Sequence, residues 1–185
     1  ILALGYKGEA LKKYFANSKE NWNVRLVNTG LKTLKGGRIK RLEKYIKSED
    51  FLLTYGDGVS DVNISMLMDF HLKHNSIGTV TCVRPPSRFG EMTIDGDTVK
   101  VFDEKAQMNK GTINGGFFVL NKKIMKYLTS DEDCDFEFGP LQKVANDGEL
   151  KAYFHNGFWQ CMDNIRERDY LNKLIEEQKA PWINL

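Results

Sequence analysis

A chain of 185 residues, 41% hydrophobic and 28% charged, has enough apolar content for one domain with a real core. Its net charge of +2 comes from basic residues dispersed along the chain, which speaks against a nucleic-acid partner. Cys82, Cys134 and Cys161 lie far apart without CxxC spacing, and no apolar run reaches the roughly 18 residues of a membrane span, so a cytoplasmic protein without a zinc ribbon is expected.

Ile1 to Leu4 read as the end of a buried strand, and Gly5-Tyr6-Lys7-Gly8 turns into an amphipathic helix through Phe15. The chain thus opens in mid-fold, and a preceding N-terminal piece is expected. Val24 to Val27 is a short strand, and Gly37 to Ile46 a helix with Ile39, Leu42, Tyr45 and Ile46 on one face. Phe51 to Tyr55 is a largely apolar strand expected at the centre of the sheet. Asp61 can cap a helix reaching about His74, Thr79 to Val83 is a strand, and Met92 to Phe102 alternates around Asp95-Gly96 as a hairpin. Phe117 to Leu120 is strand-like. Helices at about 121–128 and 137–146, a strand near Ala152 and a helix from about Asn164 complete the order. Strands separated by helices imply an α/β fold, with a mostly parallel, Rossmann-like mixed sheet and helices on both faces.

In such sheets ligands bind beyond the carboxyl ends of the strands, where Asp57 falls in Tyr55-Gly56-Asp57-Gly58. Flanking glycines let backbone approach a ligand, and a carboxylate there offers hard oxygens suited to Mg²⁺. From spacing alone this motif is equally well a simple turn. Asp163 closes the aromatic-rich stretch Phe158-Trp159-Gln160-Cys161-Met162-Asp163 at the start of a helix, where capping is the ordinary role of an aspartate. Two strand-end aspartates would nonetheless suffice for Mg²⁺, which fills its remaining positions with water and phosphate. Glu104-Lys105 offers a carboxylate for sugar hydroxyls and an ammonium for a phosphate, or a plain surface ion pair. Gly36-Gly37-Arg38 opens a helix where an anion can be received, or forms an ordinary glycine-rich loop. His71 and His74 read as an exposed helix face, His155 as a lone histidine, and Met66, Met68 and Met125 as core filler.

Taken together, Gly5-Tyr6-Lys7-Gly8, Gly36-Gly37-Arg38, Thr54-Tyr55-Gly56-Asp57-Gly58, Arg88-Phe89-Gly90, Glu104-Lys105, Ile113-Asn114-Gly115-Gly116-Phe117-Phe118 and Gly157-Phe158-Trp159-Gln160-Cys161-Met162-Asp163 resemble the sugar-1-phosphate nucleotidylyltransferases, and within them the glucose-1-phosphate cytidylyltransferases. The likeness runs through nearly the whole chain. It implies one nucleotidylyltransferase domain over residues 1–185, of the nucleotide-diphospho-sugar transferase type, lacking its N-terminal glycine-rich loop. It also implies Mg²⁺ held by Asp57 and Asp163, glucose 1-phosphate bound by Gly90, Glu104, Lys105 and Asn114, and a nucleotide side formed by Gly37, Arg38 and Gly56. The reaction implied joins CTP and glucose 1-phosphate into CDP-glucose and pyrophosphate, serving surface-polysaccharide (O-antigen) biosynthesis, in a homo-oligomer.

The family's usual proline after Glu-Lys is Ala106 here, and the stretch between about Asn17 and Trp22 is shorter than the family's nucleotide-side loop. CTP and glucose follow from the resemblance and not from spacing. A metal-dependent glycosyltransferase and a non-catalytic nucleotide-sugar binding module are the competing readings.

Overall fold

The computed structural model describes residues 1–85, 91–103 and 111–183. The chain divides into two compact units, one made of Ile1–Phe51, Ser76–Gly78 and Leu120–Leu150, the other of Leu52–Asn75, Thr79–Val119 and Lys151–Leu185. Among the described residues no helix is long and apolar enough to cross a membrane.

In the first unit, β1 (Leu2–Leu4) and β2 (Leu26–Asn28) pair in parallel with Leu2 opposite Leu26 and Leu4 opposite Asn28. Parallel neighbours need a crossover, and α1 (Gly8–Ala16) lies in it. The next helix, α2 (Lys35–Leu42), ends in a 3-10 turn over Glu43–Tyr45. Two cations of α2 are committed to the unit's own backbone. The Arg41 guanidinium donates to the Thr29 carbonyl at 2.7 Å and the Ser130 carbonyl at 2.9 Å, while Lys40 donates to the Met125 carbonyl at 2.9 Å. Leu4, Ile39, Leu120, Ile124, Met125, Leu128, Phe136 and Val144 are buried in this unit.

The expected helix at 121–128 is a 3-10 turn over Lys122–Tyr127. The expected helix at 137–146 is regular only as α4 (Gln142–Asn146), because Gly139 takes φ +106° and Pro140 has no N–H to donate. Ahead of it, the Asp135 carboxylate accepts the N–H groups of Glu137 at 2.8 Å and Phe138 at 3.0 Å. Those bonds hold its pKa below the ordinary carboxylate range.

The second unit carries most of a four-stranded sheet in the order β3 (Asp50–Thr54), β8 (Ile113–Asn121), β5 (Gly78–Val83), β9 (Leu150–Phe154). The strand at 51–55, expected in the middle, is therefore an end strand of this sheet, and Leu52 is 49% exposed. An apolar run marks burial but not rank in a sheet. Two short ribbons accompany it. β4 (Gly58–Ser60) pairs antiparallel with β10 (Trp159–Cys161), and β6 (Glu91–Asp95) with β7 (Thr98–Asp103) around Gly96 at φ +63°.

Helix α3 (Ile64–His74) is capped by Asn63, whose side chain accepts the Met66 N–H at 2.9 Å, so the cap expected of Asp61 belongs to its neighbour but one. His71, expected on an exposed face, is 2% exposed: its Nδ1 lies 2.9 Å from Thr79 Oγ1, and His74 Nε2 lies 2.8 Å from the same hydroxyl. Met66, expected in the core, is 58% exposed, whereas Met125 is buried. Helix α5 (Ile165–Glu176) closes the second unit with Leu171 turned inward.

Candidate active site

The strand β3 delivers the chain to Tyr55, whose N–H donates to the Gly116 carbonyl at 3.0 Å and so continues the pairing with β8 by one step. Gly56 and Asp57 then stand exposed, and Gly58 begins β4. A Cβ built on Gly56 would meet nothing within 4 Å, so the turn keeps open space beside its backbone.

The second aspartate arrives from a distant part of the sequence. In the β4–β10 ladder Trp159 faces Ser60, Gln160 faces Val59 and Cys161 faces Gly58. One step further the Met162 N–H donates to the Asp57 carbonyl at 2.8 Å. Asp57 and Asp163 thus leave the same end of the same ribbon, with Asp163 one residue beyond Asp57's partner. The helix start is capped by Asn164, whose side chain accepts the Glu167 N–H at 3.0 Å; the expected capping role of Asp163 is filled by its neighbour. Glu167 Oε2 accepts the Asp163 N–H at 2.7 Å, close to a capping-box arrangement.

Two exposed aspartates leaving one ribbon end offer carboxylates that fit a hard divalent cation taking one or two protein oxygens and completing its shell with water and phosphate. Cys161, Asp163 and Glu167 also bring ligand atoms within 4.8 Å of one another. That trio contains a thiol and the carboxylate already used to cap α5, a poorer match to such a cation.

Asn114 lies on β8 near this end. Its Oδ1 accepts the Gly116 N–H at 2.8 Å, which leaves the Nδ2 amide as its outward polar group, 3.4 Å from the Tyr55 hydroxyl. The next residue, Gly115, joins the two sides: its carbonyl accepts the Trp159 indole N–H at 2.8 Å and lies 3.6 Å from where a Cβ on Gly58 would sit. Trp159 therefore packs beneath the ribbon and fixes it to β8. Gly116 must be glycine twice over, with φ +79° and the Tyr55 ring 3.1 Å from its Cβ position.

Gly37 and Arg38 belong to the first unit. The Gly37 N–H donates to the Cys134 carbonyl at 3.0 Å, so an anion at this helix start would have to displace that carbonyl. The Arg38 guanidinium donates to the Leu4 carbonyl at 3.0 Å and to Thr29 Oγ1 at 2.7 Å, lying in space that a side chain on Gly5 would fill. Gly90, Glu104 and Lys105 lie outside the described residues.

Missed from the sequence was the link between His155 and Asp61, whose Nε2 and Oδ1 are 2.8 Å apart across 94 residues. No local pattern announces such a contact.

A strand-end carboxylate turn joined to a second carboxylate by a short antiparallel ribbon, beside an α/β sheet, suits an enzyme that handles a metal-bound nucleotide. The sequence profile of the Nucleotidyl transferase family matches residues 10–165, and the chain belongs to that family. It is 42% identical to the glucose-1-phosphate cytidylyltransferase of Salmonella typhi, over 98% of this chain and 79% of that protein. Among solved structures it is similar to HddC from Yersinia pseudotuberculosis, with a TM-score of 0.71 and 25% identity over 96% of this chain and 77% of the other. It shares the fold of the inositol-1-phosphate CTP transferase from T. maritima, with a TM-score of 0.60 at 17% identity over 98% of this chain and 75% of that one. The family decides against the glycosyltransferase and the non-catalytic module.

Proposed function

We propose that this enzyme transfers a cytidylyl group from CTP to α-D-glucose 1-phosphate, with Mg²⁺ held by Asp57 and Asp163. The observation that carries the metal reading is the Met162 N–H to Asp57 carbonyl bond of 2.8 Å, which brings two distant aspartates to one ribbon end. The choice of nucleotide and sugar is supported by the 42% identity with the Salmonella typhi protein. Both compact units form one nucleotidylyltransferase domain in this reading, since the family match over residues 10–165 runs through both.

A phosphate oxygen of glucose 1-phosphate forms the new bond to the α-phosphorus of CTP, the bond from that phosphorus to the bridging oxygen of the β-phosphate breaks, and pyrophosphate leaves. When bound, Mg²⁺ would supply charge neutralisation on the phosphates. The chain's residues supply position. Asn114 offers its Nδ2 amide to the sugar phosphate, with its Oδ1 already committed to Gly116. Gly90, Glu104 and Lys105 complete the sugar side. Gly56 lets the nucleotide lie against backbone, whereas Gly37 packs against the Asp131 carbonyl and serves the fold, and Arg38 holds the Leu4 carbonyl and hence the turn that starts at Gly5. Such catalysis is mostly orientation and electrostatic stabilisation.

Pyrophosphate release by the protein expressed from its full gene tests the reading. CTP with glucose 1-phosphate and Mg²⁺ is expected to give the highest kcat/KM among the nucleoside triphosphates. Preference for UTP, dTTP, ATP or GTP would overturn the choice of nucleotide, and no release with any of them would overturn the reaction.

A further inference from the structure

We propose that His155 is a positioning residue: through Asp61 and the Phe158 carbonyl its imidazole keeps β10 in register with β4 and so keeps Asp163 beside Asp57. This rests on the reading of Asp57 and Asp163 as the metal carboxylates.

The ribbon that joins those aspartates is only three residue pairs long and forms a two-stranded sheet of its own. Ribbons of that size are marginal unless something fixes them. A slip of one residue would also turn every side chain of β10 to the opposite face, Asp163's approach included. The end away from the aspartates carries a dense set of bonds. The Asp61 N–H donates to the Phe158 carbonyl at 3.2 Å, and Ser60 Oγ donates to the same carbonyl at 2.8 Å. His155 Nε2 lies 2.8 Å from Asp61 Oδ1 and 3.3 Å from the Phe158 carbonyl. A carboxylate and a carbonyl only accept, so Nε2 carries the hydrogen and donates to both.

His155 is itself held in place. Its backbone N–H donates to the Cys82 carbonyl at 2.9 Å, which ties it to β5. Its side chain is 12% exposed and that of Asp61 24%, so water competes weakly for the bond. Gly157 passes so close over the ring that a Cβ there would lie 2.7 Å from His155 Cε1. A single donor thus reaches the residue after β4 and the residue before β10 at once. The register is set at that end and read out at the other, where the Met162 N–H meets Asp57.

The test compares wild type, H155A, H155N, H155Q and D57N by three measurements: amide exchange at Met162, thermal unfolding, and binding of Mn²⁺ with CTP, without sugar, followed by electron paramagnetic resonance. Loss of an outer-shell donor is expected to weaken Mn²⁺–CTP binding about tenfold in H155A and H155N. In both, exchange at Met162 rises by about the same factor while amides of β5 and α3 keep their protection. Gln can place its Nε2 where the imidazole donor stood, so H155Q is expected to return both readings to within about twofold of wild type. Wild-type exchange and binding in H155A and H155N would overturn the proposal, as would a uniform loss of protection across the second unit, which marks a merely structural residue. If H155A does not fold, H155N and H155Q decide alone. Wild-type Mn²⁺–CTP binding by D57N would instead overturn the metal reading beneath it.

Discussion

Gly36 and Gly37 at the start of α2 and Gly56 and Gly58 around Asp57 are alike on paper, each a glycine pair beside a charged residue. Their surroundings are opposite. A Cβ on Gly36 would lie 2.7 Å from the Asp135 carbonyl and 2.8 Å from Cys134 Sγ, and one on Gly37 would run into the Asp131 carbonyl. Backbone packs against backbone there, and glycine is needed by the fold. At Gly56 nothing lies within 4 Å of the Cβ position, and at Gly58 the nearest atom is 3.6 Å away. The turn at Asp57 thus leaves room beside an exposed carboxylate, as the hairpin turn at Gly96 between Asp95 and Asp97 also does, so it is the second aspartate at the same ribbon end that sets the Asp57 turn apart. A glycine whose Cβ position is filled by backbone is explained by packing alone.

The contrast can be broken at its strongest point first. D57N is expected to lower turnover at least about 100-fold, as removal of a group that stabilises transition-state charge does, while the melting temperature stays within about 2 °C because the side chain is exposed. G37A should act the other way: overpacking against the Asp131 carbonyl is expected to cost about 2 kcal/mol in urea unfolding, whereas G56A should stay within about 0.5 kcal/mol and lose activity instead. Equal destabilisation by the two would remove the distinction. N114A is expected to raise the KM for glucose 1-phosphate about tenfold, a little over 1 kcal/mol, with a smaller change in kcat.

The smallest effect concerns the wall that Gly36 packs against. Hydrogen bonds from the Phe138 and Glu137 N–H groups lower the Asp135 pKa in the folded state. A carboxylate with a depressed folded pKa contributes stability that is present above its unfolded pKa, about 3.9, and is lost as pH falls through the folded value. D135N should therefore be slightly less stable than wild type at pH 7, and the two unfolding curves should converge as pH falls through the folded-state pKa of Asp135. A constant difference across that window would show that charge plays no part.

Much of this could be read from the chain. The alternation of strands and helices, the turn at Asp57 and the second aspartate at Asp163 follow from apolar runs and short motifs, and the structure has strands and helices at nearly all the expected places. What could not be read depends on partners far away. β10 has only three residues, too few for a pattern, and exists because β4 pairs with it. Asp61 looked like a helix cap because capping is local, yet its carboxylate is paired with His155 and Asn63 caps α3. Asp163 and Asn164 are both good caps by residue type, and only the hydrogen bond to the Glu167 N–H chooses between them. His71 and His74, at i, i+3 without Cys or acidic ligands placed to join them, read as an exposed face, and Thr79 on the following strand is what makes the burial of His71 tolerable.

The most direct test of the metal assignment is paramagnetic broadening of backbone amide resonances by Mn²⁺ in the CTP-bound protein. Broadening is expected first at Gly56, Asp57, Gly58, Met162 and Asp163, the residues at one end of the β4–β10 ribbon. Broadening centred on His71 and His74, with the Asp57 and Asp163 amides unaffected, would contradict it.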